Sequence, residues 1–129
     1  VRFAAVEGGG TTWVAAISEN TPDNVVDRCS FPTKNDPKET LGEVKAWLSS
    51  RQFDSIGKCV LFDFYALLKI LNFIHAHPGI GTFGPVDCDP ASPFYGYITS
   101  TPKPGWRNTD VLGLLGIRQF GKPFKFDTD

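Results

Sequence analysis

Two short apolar runs, residues 1–6 and 11–17, are separated only by Glu7-Gly8-Gly9-Gly10. Runs of this length bounded by turn residues are too short for helices and read as the arms of a β-hairpin with a glycine loop at its tip. Residues 24–33 continue as a third strand after the turn Thr21-Pro22-Asp23-Asn24, and Pro32, which has no amide hydrogen, ends it. A chain that opens this way needs something to cover one face of its sheet.

The cover follows at once. Asp36 offers a helix N-cap, Pro37 suits the first helical position, and Glu39 completes a capping-box spacing. Leu41, Val44, Trp47 and Leu48 then recur at i, i+3, i+6 and i+7, a single apolar stripe on a helix of about three to four turns. A second helix is expected over residues 109–119 with Val111, Leu112 and Leu115 inward, although Gly113 and Gly116 weaken it. Residues 122–129 close as a strand ending in carboxylates. The order β-β-β-α-β-α-β predicts an α/β fold with a mixed sheet and flanking helices, the hairpin antiparallel and the later strands parallel.

At 129 residues the chain fits one domain. A net charge of -1 without any run of basic residues argues against the electrostatic footprint of a nucleic-acid partner. Cys29, Cys59 and Cys88 show no paired metal-ligand spacing and read as reduced cytoplasmic thiols. The opening residues carry no signal-peptide pattern. Residues 59–74 are the one membrane candidate, but the run is short and holds Asp63 and Lys69, so a membrane span is not expected.

Three stretches can carry chemistry. The glycine loop after Glu7 lets backbone amides approach phosphate oxygens, with the carboxylate placed to orient magnesium; an ordinary hairpin turn accounts for the same glycines. Residues 81–106 hold five prolines and four glycines with aromatic and polar side chains among them. They read either as the wall of a small-molecule pocket, with Trp106 as an apolar platform, or as a wandering surface loop. The terminal Asp127-Thr128-Asp129 supplies a carboxylate at the end of a sheet strand, either a general base or a charged chain end. His75 and His77 are a weak metal signal without companion ligands.

Taken in order, these motifs resemble the N-terminal lobe of a sugar kinase of the ROK family (repressors, open reading frames, kinases), fructokinase branch. Glu7, Gly9, Gly10 and Thr11 match its Glu-x-Gly-Gly-Thr; Phe31-Pro32-Thr33 matches a strand end; Phe83 to Asp87 match Phe-Gly-Pro-x-Asp. The most specific match is the run from Tyr95 to Trp106, Tyr-Gly-x-Ile-Thr-x-Thr-Pro-Lys-x-Gly-Trp. The resemblance implies a truncated ribonuclease-H-like, actin-type ATPase fold and phosphorylation of fructose to fructose 6-phosphate by ATP and Mg2+. It implies that Glu7 helps position magnesium, that Gly9, Gly10, Thr11 and Thr12 form the first phosphate loop, and that Phe83, Gly84, Pro85, Thr101, Lys103, Gly105 and Trp106 face the sugar. Asp129 resembles the catalytic base. The family usually has lysine at the position of Thr12. Its second half, with a zinc site and the adenine site, has no counterpart in this sequence, so the isolated chain is expected to be inactive. A homodimeric full-length parent is compatible with the resemblance. The alternative reading is a non-catalytic sugar-binding or regulatory module of the same fold.

The resemblance skips residues 58–79. Without them the sequence reads Phe-Asp-Ser-Ile-Gly-Ile-Gly-Thr-Phe-Gly-Pro-Val-Asp, one buried strand leading into the sugar loop. Insertions are tolerated at exposed loop tips, where no ladder hydrogen bonds are lost, not inside a strand. Gly57-Lys58 can be encoded with GGTAAG and His77-Pro78-Gly79 with a CAG triplet, which look like intron ends, and 22 codons suit a compact intron. The segment therefore reads as a translated, unremoved intron; an added apolar helix that docks on a partner or membrane is the functional alternative.

Overall fold

The computed structural model describes residues 1–57 and 80–128. Residues 58–79, with Cys59, the membrane candidate and both histidines, lie outside the described residues, as does the expected base Asp129.

The hairpin forms from β1 (Arg2–Gly8) and β2 (Thr12–Glu19), antiparallel from Arg2↔Glu19 to Gly8↔Trp13, and β3 (Val25–Pro32) pairs with β2. The strands alternate as a half-buried sheet must: Ala4 and Val6 of β1, Trp13, Ala15 and Ile17 of β2 and Phe31 of β3 share the core face. Onto that face packs α1 (Pro37–Ser49), burying Leu41, Val44 and Leu48. Trp47, the fourth member of the stripe, sits at its margin under the Arg51 guanidinium, 4.0 Å from the ring centre. Asp36 caps the helix by accepting from the Lys38 amide at 2.9 Å. The capping box is not completed: the Glu39 carboxylate turns instead to the Lys34 ammonium, 3.5 Å away.

Past α1 the chain returns to β1 on the side away from β2. Here β4 (Ser55–Gly57) and β5 (Ile80–Thr82) both run parallel to β1. Their registers form one series, because Ala5 faces Gly57 and the next residue, Val6, faces Ile80. The other side of the ladder agrees. Ile56 bridges to Phe124 and Ile80 to Phe126, and the amides of Ile56 and Ile80 donate to the carbonyls of Pro123 and Lys125 at 3.0 and 2.6 Å. In a parallel ladder one strand's successive inward amides lie two residues apart, so Gly57 and Ile80 occupy neighbouring places of a single strand line.

The last strand, β8 (Phe126–Thr128), completes the order β3-β2-β1-β5-β8, with β4 also on β1. A two-stranded ribbon of β6 (Tyr97–Ile98) and β7 (Thr109–Asp110) lies apart from it. The second expected helix is broken. Thr109 and Asp110 belong to β7, α2 covers only Val111–Leu114, and a 3-10 turn follows over Ile117–Phe120. The break falls at Gly116, whose φ of 66° is left-handed and stops the helical hydrogen-bond pattern. Val111, Leu112 and Leu115 are nonetheless all fully buried, as their spacing predicts.

Candidate active site

Three parallel strands end together. Gly8 closes β1 level with Thr82 of β5, which is level with Thr128 of β8. Beyond that edge lie the glycine loop and Phe83-Gly84-Pro85. Ligands of open α/β sheets collect outside the carboxyl ends of the strands, where no ladder consumes the last polar groups. One step back, Glu7 is level with Gly81 and Gly81 with Asp127. Partners in a parallel ladder share a face, so two carboxylates flank a position that has no side chain, with Cα atoms about 10 Å apart at ordinary strand spacing. Glu7 is half-buried and Asp127 exposed, with the Cys88 thiol 3.9 Å from Asp127 Oδ1.

Each glycine of the loop has a different physical reason. Gly8 lies under the Trp13 indole, where a Cβ would fall 2.4 Å from the ring. Because Trp13 is fully buried it cannot step aside cheaply, so Gly8→Ala is expected to cost about 2 kcal/mol in chemical denaturation. An unchanged midpoint would refute this packing account. Gly9 makes the turn, its amide donating to the Thr12 carbonyl at 2.8 Å. Gly10 has no described atom within 4 Å of where a Cβ would stand and no positive φ, so neither packing nor backbone strain calls for glycine there. Thr11 and Thr12 are exposed beside it.

The loop is anchored from outside the hairpin. Thr33, just past β3, donates its amide to the Thr11 carbonyl at 2.9 Å and its hydroxyl to the Gly9 carbonyl at 2.8 Å. The next residue, Lys34, sends its ammonium to Glu43 at 2.6 Å as well as to Glu39. The hydrogen bond to Glu43 raises the Lys34 pKa above its ordinary value. Its ammonium is thus engaged with α1.

The proline- and glycine-rich segment is fixed rather than wandering. The Phe83 amide donates to the Gly8 carbonyl at 2.7 Å, the Gly84-Pro85 bond is cis, and both the amide and the hydroxyl of Thr99 donate to the Pro85 carbonyl. Val86 bridges to Ile98 of β6. Farther on, the Thr101 hydroxyl accepts from the Lys103 amide at 3.2 Å. Gly105, at φ 80°, passes so close to Asn35 that a Cβ would lie 2.0 Å from the Asn35 carbonyl oxygen. Trp106 corrects the sequence reading. It is fully buried, stacked on Trp13 at 5.6 Å between centroids, with its indole N–H donated to the Lys34 carbonyl at 2.7 Å. A side chain so enclosed offers no platform to a ligand and instead holds its loop in place. Phe83, half-buried, meets both tryptophans edge-on at 5.3 and 6.5 Å.

Sequence reasoning named Glu7, Gly9, Gly10, Thr11, Phe83, Gly84 and Pro85, which the fold brings to one sheet edge, and Thr101, Lys103 and Gly105, which lie on the loop that ends at Trp106. It missed Gly8, Trp13 and Thr33. The first two were within reach, because a tight hairpin register sets Gly8 opposite Trp13. Nothing local marks Thr33, whose partners Thr11 and Gly9 lie 22 and 24 residues away.

No family model matches the chain. Curated relatives do, among them a fructokinase of Streptococcus mutans, 35% identical over 127 residues, 98% of this chain and 36% of the relative, and a fructokinase of Pediococcus pentosaceus, 38% identical over 127 residues, 98% of this chain and 35% of the relative. Among solved structures, a ROK family glucokinase from Streptomyces griseus in complex with glucose and AMPPNP superimposes with a TM-score of 0.63 at 14% identity, over 99% of this chain and 33% of that one. By sequence the chain is therefore a relative of the fructokinases, its fold is the actin-type fold of the ROK sugar kinases, and it spans about a third of the length of the relatives it matches.

Proposed function

We propose that this chain is the first lobe of an ATP-dependent hexose kinase whose substrate is fructose, converted to fructose 6-phosphate. The observation that carries the reading is the glycine loop and the Phe83–Pro85 segment meeting at the carboxyl edge of the parallel strands, joined by the Phe83 to Gly8 hydrogen bond. Similarity to fructokinases over nearly the whole chain supports the choice of sugar.

In this reading the amides around Gly10, with Thr11 and Thr12, receive phosphate oxygens, and the open space at Gly10 is what lets them come close. Phe83, Gly84, Pro85, Thr101, Lys103 and Gly105 form the sugar side, and Trp106 keeps that side rigid. Asp129 takes the proton from the sugar hydroxyl as the phosphoryl group arrives in line. Among the described residues no group of three metal-ligating side chains gathers. That donor set still fits magnesium, which keeps several waters and needs only one or two carboxylates beside the phosphates; Glu7, with Asp127 level across Gly81, would hold those waters. When bound, magnesium supplies charge neutralisation on the phosphates. Among the described residues Cys29 and Cys88 form no disulfide, and no helix is long and apolar enough to cross a membrane. We place the protein in the cytoplasm.

We read residues 58–79 as an insertion into this lobe, with Gly57 and Ile80 as native neighbours, a reading that the single strand line of β4 and β5 supports. The kinase test follows from it. A protein translated from a message that lacks codons 58–79 and continues past Asp129 is expected to release ADP from ATP only when a hexose is present, with fructose preferred over glucose and mannose. Fructose-dependent thermal stabilisation with no ADP release would replace the kinase reading with the sugar-binding module.

A further inference from the structure

The two loops that the kinase reading assigns to phosphate and sugar do not merely approach one another; they are closed into a ring of contacts. One route is apolar: Gly8 lies under Trp13, and Trp13 stacks on Trp106 of the other loop. The second route is polar and runs through three consecutive residues after β3. Thr33 holds the Gly9 carbonyl with its hydroxyl and the Thr11 carbonyl with its amide. Lys34 then accepts the Trp106 indole N–H, and the Asn35 carbonyl seats against the bare Cα of Gly105. The segment itself is fixed to α1, because the Lys34 amide donates to the Thr40 hydroxyl at 2.9 Å.

We propose that Thr33 is a positioning residue: through its hydroxyl it sets the glycine loop at a fixed distance from the loop of residues 101–106, so that a phosphoryl donor and an acceptor held by those loops would stay in register. The inference rests on the kinase reading only for what the loops bind. Its physical basis is that a loop with glycines at three successive positions has little stiffness of its own, and two bonds from a neighbouring strand end remove most of that freedom. The apolar route reaches only as far as Gly8, and beyond it Gly9 keeps only its turn bond to the Thr12 carbonyl within the hairpin itself.

The test reads hydrogen exchange by NMR in the full 129-residue chain. Thr33→Val keeps the shape and removes the hydroxyl. It is expected to speed exchange at the Gly9 amide and at the Trp106 indole N–H by about tenfold each, while the amides of Ala5 and Ala16 in the hairpin ladder stay within about twofold. Thr33→Ser restores the hydroxyl and is expected to return both rates. Uniform acceleration at all four sites would mean lost global stability only and would overturn the proposal, as would a Gly9 response without one at Trp106. Should Thr33→Val fail to fold, Trp106→Phe keeps a ring in the stack and deletes the indole donor. Faster exchange at the Thr33 and Gly9 amides upholds the link, and unchanged exchange overturns it. Neither readout uses ATP or sugar, so a broken link and a failed kinase reading give separate results.

Discussion

Joining Gly57 directly to Ile80 is expected to raise the melting temperature by roughly 10–20 °C. Ala5 and Val6 of β1 are consecutive, and so are their partners Gly57 and Ile80 in the ladder, although 22 residues separate them in sequence. Folding must therefore close a 22-residue excursion between two points that a single peptide bond could span. The logarithmic closure cost for such a length is about 3 kcal/mol, and 1 kcal/mol moves the midpoint of a domain this size by about 4–8 °C. The joined strand also keeps its alternation: Ile56 and Ile80, both fully buried, fall two places apart on the core face. Thermal denaturation of the two proteins side by side decides the matter. A joined protein that melts lower, or loses its cooperative transition, would show that residues 58–79 contribute to the fold and are not a foreign insertion. Sequencing the message across the same junction is the independent check, with the codons expected to be absent from the mature transcript.

Gly105→Ala is the second large effect, an expected loss of about 3 kcal/mol. Two costs combine. A φ of 80° is a conformation that a side chain with Cβ resists by about 1–2 kcal/mol. The added methyl would then stand 2.0 Å from the Asn35 carbonyl oxygen, and a backbone carbonyl fixed just before the N-cap of α1 cannot rotate away as a side chain would. The strain is relieved only by lifting the loop, which pulls the Trp106 indole from the Lys34 carbonyl and opens the stack on Trp13. Chemical denaturation should therefore show the lower midpoint together with a red-shifted tryptophan emission in the folded baseline. A midpoint within about 0.5 kcal/mol of the parent, typical of an ordinary surface site, would mean that the contact between Gly105 and Asn35 does not hold the loop.

Some of this architecture was legible in the order of residues. Period-two and period-3.6 patterns are local, so the hairpin, β3 and α1 declared themselves, as did the buried trio Val111, Leu112 and Leu115. The glycines between the first two strands and the motif from Tyr95 to Trp106 marked both halves of the candidate site. The break in the second helix was only half legible: Gly116 weakened the pattern, but its left-handed conformation and the 3-10 turn that follows it appear only in the fold.

What only the tertiary structure decided has one physical cause, contacts between residues far apart in sequence. Trp106 looks like a surface platform in a loop rich in proline and glycine, and it becomes a core residue because Trp13 and the Lys34 carbonyl meet it there. Thr33 reads as the end of a strand, and becomes an anchor because the hairpin tip folds back beside it. The sequence by itself determined which segments are strands and which face of each is apolar. Setting residues 58–79 aside already made one strand of the sequence around Gly57 and Ile80, but the register of that strand against β1 and the closing of two loops into one ring depended on contacts between distant residues, which no local pattern encodes.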